Sequence, residues 1–175
     1  MREALKYINR STLGRKEGLR GAEIGVRAGQ NALSMLQSMN IEHLYLVDHW
    51  KEHKEASGNI ISQEQQDSFY NATIVSITPY QSLVTILNKS SEDASKEVED
   101  GSLDFVYIDG GHSYDAVKKD MKTWLPKLKK GGYLCGHDFG NPCTPDVARA
   151  VKDFSSENSL QVFKLDDIDW YTVKP

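Results

Sequence analysis

Apolar residues recur along this chain in two rhythms, short near-continuous runs and stripes of helical spacing. Residues 2 to 13 predict a first helix, with Leu5 and Ile8 on one side. A short apolar strand follows near Ala22–Val26, and Leu33, Leu36 and Met39 then take helical spacing. "EHLYLVD" predicts a second strand ending in Asp48. In the polar stretch from Lys51 to Asn71, "SQEQQDSFY" suits a helix. The β-branched "ATIVSI" predicts a third strand, and "QSLVTIL" a short helix after it. "NKSSEDASKEVEDGS" is acidic and polar, a surface helix or loop.

"LDFVYID" and "GYLCGHD" predict strands four and five. Between them Val117, Met121, Trp124, Leu125 and Leu128 mark a helix of 3.6 period, which Pro126 should kink or end. "TPDVARAVKDF" predicts a last helix, with Pro145 in its first turn. "LQVFKL" and "DWYTVKP" read as a closing hairpin around a tight acidic turn. Near-continuous apolar strands between amphipathic helices predict an α/β fold: a mostly parallel sheet with helices on both faces and one antiparallel strand. With no repeat or linker, residues 1–175 are expected to form one domain, 1–18 being its N-terminal helix and lead-in.

Composition removes some function classes. The net charge of -4 disfavours a protein that draws its affinity from phosphate backbones. Lys118, Lys119, Lys122, Lys127, Lys129 and Lys130 are better explained as a solvated helix face. Two cysteines, Cys135 and Cys143, are too few for a disulfide framework. The N-terminus lacks the apolar core of a signal peptide, and no stretch reaches the length of a membrane span. A reduced, cytoplasmic protein is expected, with neither nucleic acid nor membrane as partner.

The chemistry should sit beyond the carboxyl ends of the strands, where strand order reverses. There the first turn carries Glu23, Gly25 and Gly29, and strand two ends in Asp48. Glycines allow a tight turn and close approach of a ligand. An acid at the end of strand two can accept both hydroxyls of a ribose. The two features favour a nucleoside-containing ligand, although Arg27 stands where a dinucleotide fingerprint has a glycine. "DGGHSY" and "HDFGN" follow strands four and five.

"EIGVRAGQNA", "LYLVDHW", "LDFVYIDGGHSYDAVKKDMKTWLPKLKKGGYLCGHDF" and "PDVARAVKDF" resemble class I S-adenosylmethionine-dependent methyltransferases. The nearest type is the small bacterial and phage group called methyltransferase family 24. The resemblance covers nearly everything from Gly21 onward. It implies a Rossmann-like seven-stranded sheet of order 3-2-1-4-5-7-6 with S-adenosyl-L-methionine as cofactor. Glu23, Gly25 and Gly29 would hold the methionine end, Asp48 the ribose, and Trp50 would border the cofactor or the substrate mouth. Gln81 and Ser82 would meet the adenine, and Asp109 would lie near the transferring methyl group. Related O-methyltransferases hold a divalent cation after strands four and five. The matching residues here are Asp109, His137 and Asp138, a set that admits Mg²⁺ or Mn²⁺. His112 is the candidate general base beside Asp109.

The implied reaction is methyl transfer to a hydroxyl of a small molecule or sugar. A nicotinamide-dependent oxidoreductase or epimerase remains an alternative, as does a non-catalytic cofactor-binding module acting with a partner. The absence of a large insertion to cover a substrate suggests a bulky acceptor or a homo-oligomer. Other features have plainer readings. His49 and His53 lack an obvious third metal ligand, and Asp166, Asp167 and Asp169 read as turn residues. Cys135 and Trp124 read as packing residues.

Overall fold

A computed structural model describes residues 1–11, 18–54, 58–165 and 168–175. The helices are α1 (Glu3–Arg10), α2 (Gln30–Ser38), α3 (Gln63–Ile77), α4 (Ser91–Ser95), α5 (Tyr114–Trp124) and α6 (Pro145–Glu157). The strands of the main sheet are β1 (Leu19–Ile24), β2 (Ile41–Asp48), β5 (Val84–Asn88), β6 (Leu103–Ile108), β7 (Leu128–Gly136), β8 (Phe163–Lys164) and β9 (Trp170–Val173). A separate antiparallel pair, β3 (His53–Lys54) and β4 (Ile60–Ile61), lies between β2 and α3.

The sheet order is β5-β2-β1-β6-β7-β9-β8. Counted over this sheet alone, that is the expected 3-2-1-4-5-7-6. The first five strands run parallel, and β9 runs antiparallel to both neighbours. Strand β6 explains the layering. All six of its residues are buried. Its alternating side chains put Val106 and Ile108 into the core under α5 and α6, and Phe105 and Tyr107 into the core under α1 and α2. Each parallel strand therefore needs apolar residues on both faces. Ile24 pairs with Val47 on one side and Ile108 on the other, so the carboxyl ends of β1, β2 and β6 finish level.

Two predicted elements exchange identities. "ATIVSI" is the last part of α3 rather than a strand, and "VTILN" is strand β5 rather than a helix. A complete capping box at Ser62 and Gln65 starts α3, and no breaker interrupts it before Pro79. Thr73 and Ile77, one turn apart, face inward, while Val75 is 74% exposed. Helical burial thus overrides β-branched propensity. A 3-10 turn over Thr78–Leu83 leads into β5, which pairs with β2 from Leu44↔Val84 to Asp48↔Asn88. Leu128 opens β7 instead of extending the preceding helix, because the 3-10 turn around Pro126 ends it. β1 closes at Ile24, two residues before the expected Val26. The end of the first predicted helix, residues 12 and 13, lies outside the described residues, as do Asp166 and Asp167.

Candidate active site

The turn after β1 has three residues in left-handed conformation: Gly25 (φ 88°), Arg27 (φ 54°) and Gly29 (φ 77°). At Gly25 the requirement is double. A Cβ there would lie 2.3 Å from the Asp109 carbonyl oxygen, so the turn packs directly on the loop after β6. Gly25→Ala is expected to cost about 3 kcal/mol from strain and overpacking, read by urea denaturation. Asp48 fixes the rest of the turn. Its Oδ2 accepts from the backbone N–H of Val26 (3.0 Å) and Arg27 (2.9 Å), and its Oδ1 from that of Trp50 (3.0 Å).

A cleft of about 890 Å³ opens over these strand ends. Glu23 forms part of its floor and is 2% exposed. Asn31 Nδ2 donates to its Oε1 at 2.9 Å. Oε2 is buried and has no hydrogen-bond partner among the described residues. Burial pushes the Glu23 carboxyl up to about 8.

At the other end of the cleft lie Asp109, His112, His137 and Asp138. His137 Nδ1 is 3.2 Å from Asp138 Oδ2 and 3.8 Å from Asp109 Oδ1. Asp109, His137 and Asp138 each offer one ligand atom within 4.8 Å of the other two, an edge length that one cation can bridge. His112 Nε2 points at the same two carboxylates, 3.9 Å from Asp109 Oδ1 and 3.1 Å from Asp138 Oδ2, without hydrogen-bond alignment. Asp109 and Asp138 together push His112 up to about 9. Despite burial, which acts the other way, His112, His137 and Asn141 hold Asp138 far below the usual carboxylate range. Arg2, just before α1, closes the cluster from outside. It donates to His137 Nε2 at 2.5 Å and to Asp109 Oδ2 at 3.2 Å.

Several expected site residues lie elsewhere. Gln81 and Ser82 sit before β5, at the opposite end of the sheet from the cleft, because the third strand is Val84–Asn88. The residues that follow that strand into the cleft are Lys89 and Ser91. Trp50 is buried; its indole N–H donates to the Arg27 carbonyl at 2.8 Å and its ring packs edge-on against Tyr70. It supports the first turn from behind. Gly29 caps α2 and packs on α3 near Ser76, so it acts on the cleft through the turn and does not line it. His53 lies on β3 and His49 just after β2; both line the cleft, with ring centroids 6.0 Å apart. Asp169 is a core residue, 1% exposed, that accepts from the Ala4 N–H and the Tyr107 hydroxyl. Lys118, Lys119, Lys127 and Lys129 pair with surrounding acids, as a helix face and its rim should.

Arg2, Asn31, Ser91 and Asp120 line the cleft without having been anticipated. Asp120 carried a signal: an acid inside the apolar stripe of Val117, Met121 and Trp124. Arg2 carried none, since its place depends on how α1 docks.

The sheet order, the level strand ends and the cleft over β1 and β2 define a Rossmann-like methyltransferase fold. Residues 22–139 match the family model described as "Methyltransferase domain", of methyltransferase family 24, and the chain belongs to that family of class I S-adenosylmethionine-dependent methyltransferases. The fold is similar to that of the O-methyltransferase NovP, at 16% identity and TM-score 0.72, covering 98% of this chain and 78% of that one. It is also similar to an rRNA methylase from Streptococcus thermophilus (10%, TM-score 0.67, 98% and 93% covered). A third likeness is to a precorrin-6y C5,15-methyltransferase from Geobacter metallireducens GS-15 (10%, TM-score 0.69, 98% and 86% covered). A curated relative, the uncharacterized protein y4gI of Sinorhizobium fredii (strain NBRC 101917 / NGR234), is 27% identical over 122 residues. That alignment takes in 66% of this chain and 12% of the relative's length. No helix among the described residues is long and apolar enough to cross a membrane.

Proposed function

We propose that this chain transfers the methyl group of S-adenosylmethionine to a hydroxyl of a small molecule or sugar. The observation that carries the cofactor reading is the unpartnered Oε2 of Glu23. A buried carboxylate oxygen facing a cleft calls for a cationic donor, and the α-ammonium of the methionine moiety is one. Asp48 lies next along the cleft and suits the two ribose hydroxyls. The sulfonium end then falls toward Asp109, His112 and Arg2.

Methyl transfer from a sulfonium needs little chemical assistance, because the donor already carries its leaving-group charge. The protein's work is to align the acceptor oxygen, exclude water and take a proton. His112 suits the last task in its neutral form. Asp109 and Asp138 orient it and stabilise the imidazolium it becomes. Arg2 steadies Asp109 from the opposite side. One ligand atom each from Asp109, His137 and Asp138 fits a divalent cation, and their mixed nitrogen and oxygen donors suit Mn²⁺ or Fe²⁺ better than Mg²⁺. Bound there, a cation would lower the pKa of the acceptor hydroxyl and fix its oxygen.

Calorimetric titration with S-adenosylmethionine, with NAD and with Mn²⁺ tests this directly. Binding of the sulfonium ligand, weakened at least about tenfold in Asp48→Ala, is expected. Binding of NAD without S-adenosylmethionine would overturn the reading in favour of an oxidoreductase.

A further inference from the structure

Among the buried ionisable groups that the mechanism leaves without a task, Asp120 borders the cleft. It lies on the inner face of α5 and is 8% exposed. It is held from behind by a relay. Trp124 Nε1 donates to Ser91 Oγ at 2.8 Å, and the Ser91 hydroxyl hydrogen-bonds the Asp120 carboxylate. The Trp124 indole has no other proton to give, so it leaves the serine hydrogen for Asp120. In front, Gly110 opens the way: a Cβ there would stand 3.5 Å from Asp120 Oδ2.

No cation among the described residues forms an ion pair with this carboxylate. Lys119, whose charge acts on it from a distance, is committed to Glu92 on the surface at 2.5 Å. Burial raises Asp120 to about 6, so it is ionised at pH 7.5 and accepts hydrogen bonds only. A buried carboxylate with one donor has acceptor capacity to spare, and the ligand must fill it.

The identity of that donor follows from what the other groups take, and this step rests on the cofactor reading above. Glu23 suits the ammonium and Asp48 the ribose hydroxyls. The heterocycle must then extend past Asp48 along the remaining polar wall, toward Lys89, Ser91 and Asp120. Of the groups left on the cofactor, the exocyclic amine of adenine is the only strong donor. We propose that Asp120 accepts a hydrogen bond from that amine and is a specificity-determining residue for adenine over a 6-oxo purine. A carbonyl in the amine's place would face the carboxylate with two acceptors and no proton between them. Sites of that kind reject the wrong partner strongly, because a buried polar group is left unpaired.

The test is calorimetric titration at pH 7.5 with S-adenosylhomocysteine and with its inosine counterpart, in wild type and Asp120→Asn. Asparagine keeps the size of the side chain and an acceptor for Ser91, and its amide can donate to a carbonyl. Wild type is expected to prefer the adenine ligand by about a hundredfold or more, and Asp120→Asn to narrow that ratio to below about fivefold. Thermal melts of both proteins accompany the titrations. If Asp120→Asn melts early, Ser91→Ala supplies the second variant; by releasing Asp120 from its relay it should reduce the preference by a smaller factor. Binding of the adenine ligand with an unchanged ratio in the variants would overturn the assignment of Asp120 and leave the cofactor reading standing. Failure of wild type to bind either ligand would overturn both.

Discussion

Replacing Glu23 by glutamine is expected to yield a more stable protein that binds S-adenosylmethionine about a hundredfold more weakly. The two effects have one cause. Burial raises the folded-state pKa of Glu23 to about 8, well above the value of 4.5 expected for the unfolded chain. Between these values the unfolded chain has released its proton while the folded protein retains it. Stability should therefore fall as pH rises from about 4.5 to 8, by roughly 1 kcal/mol per unit for this group. Glutamine keeps the acceptor for Asn31 and removes the slope, so denaturation midpoints of wild type and variant should diverge with rising pH. Ligand binding runs the other way. An ammonium at Oε2 requires the carboxylate, so wild-type affinity should rise from pH 6 to 8 and binding should release a proton. Calorimetry in two buffers of different ionisation enthalpy reads that proton. Glutamine offers no charge, and losing a buried ion pair costs about 3 kcal/mol. Equal affinity in the variant, or no proton release in wild type, would remove Glu23 from the ammonium site.

The second large effect concerns His112. Its neighbours Asp109 and Asp138 push it up to about 9, so at neutral pH the imidazole is mostly protonated. A base in that state works through its minor neutral form. In the absence of divalent cation, single-turnover methyl transfer should accelerate about tenfold per pH unit from 7 until it levels near 9. His112→Gln should lower the plateau about a hundredfold and abolish the slope, with S-adenosylmethionine affinity little changed. A rate independent of pH in wild type, or a variant that keeps the slope, would move the proton transfer to another group.

The parts of the site that were legible in the sequence are those fixed by local chemistry. Gly25 and Asp48 stand at strand ends that hydrophobic patterning locates, and Asp48 holds the backbone of the turn that Gly25 opens. Asp109 follows the wholly buried β6, His137 and Asp138 follow the buried last three residues of β7, and the three converge. The third strand was not legible. Residues 72–77 have the composition of a strand, and only the capping box at Ser62 and the pairing of β5 with β2 assign the sheet position to residues 84–88. That shift of about ten residues carried the expected adenine contacts, Gln81 and Ser82, to the wrong end of the sheet. Trp50 misleads for a related reason: an aromatic near a site can face the solvent or the core, and patterning does not choose.

While the strand order came from the family resemblance, the sequence by itself determined most of the alternation of strands and helices, and the acids and glycines at the sheet's carboxyl edge. Those features depend on residue periods and turn chemistry that act over a few positions. The tertiary structure decided which long-range partners those residues meet. Arg2 reaches Asp109 across 107 positions, and Trp124 reaches Ser91 behind Asp120 across 33. Burial, and with it the raised pKa of Glu23, likewise exists only once α1, α2 and the sheet have closed around it. Short-range periodicity carries no information about which distant surface will remove a given carboxylate from water, and that removal sets the chemistry of this cleft.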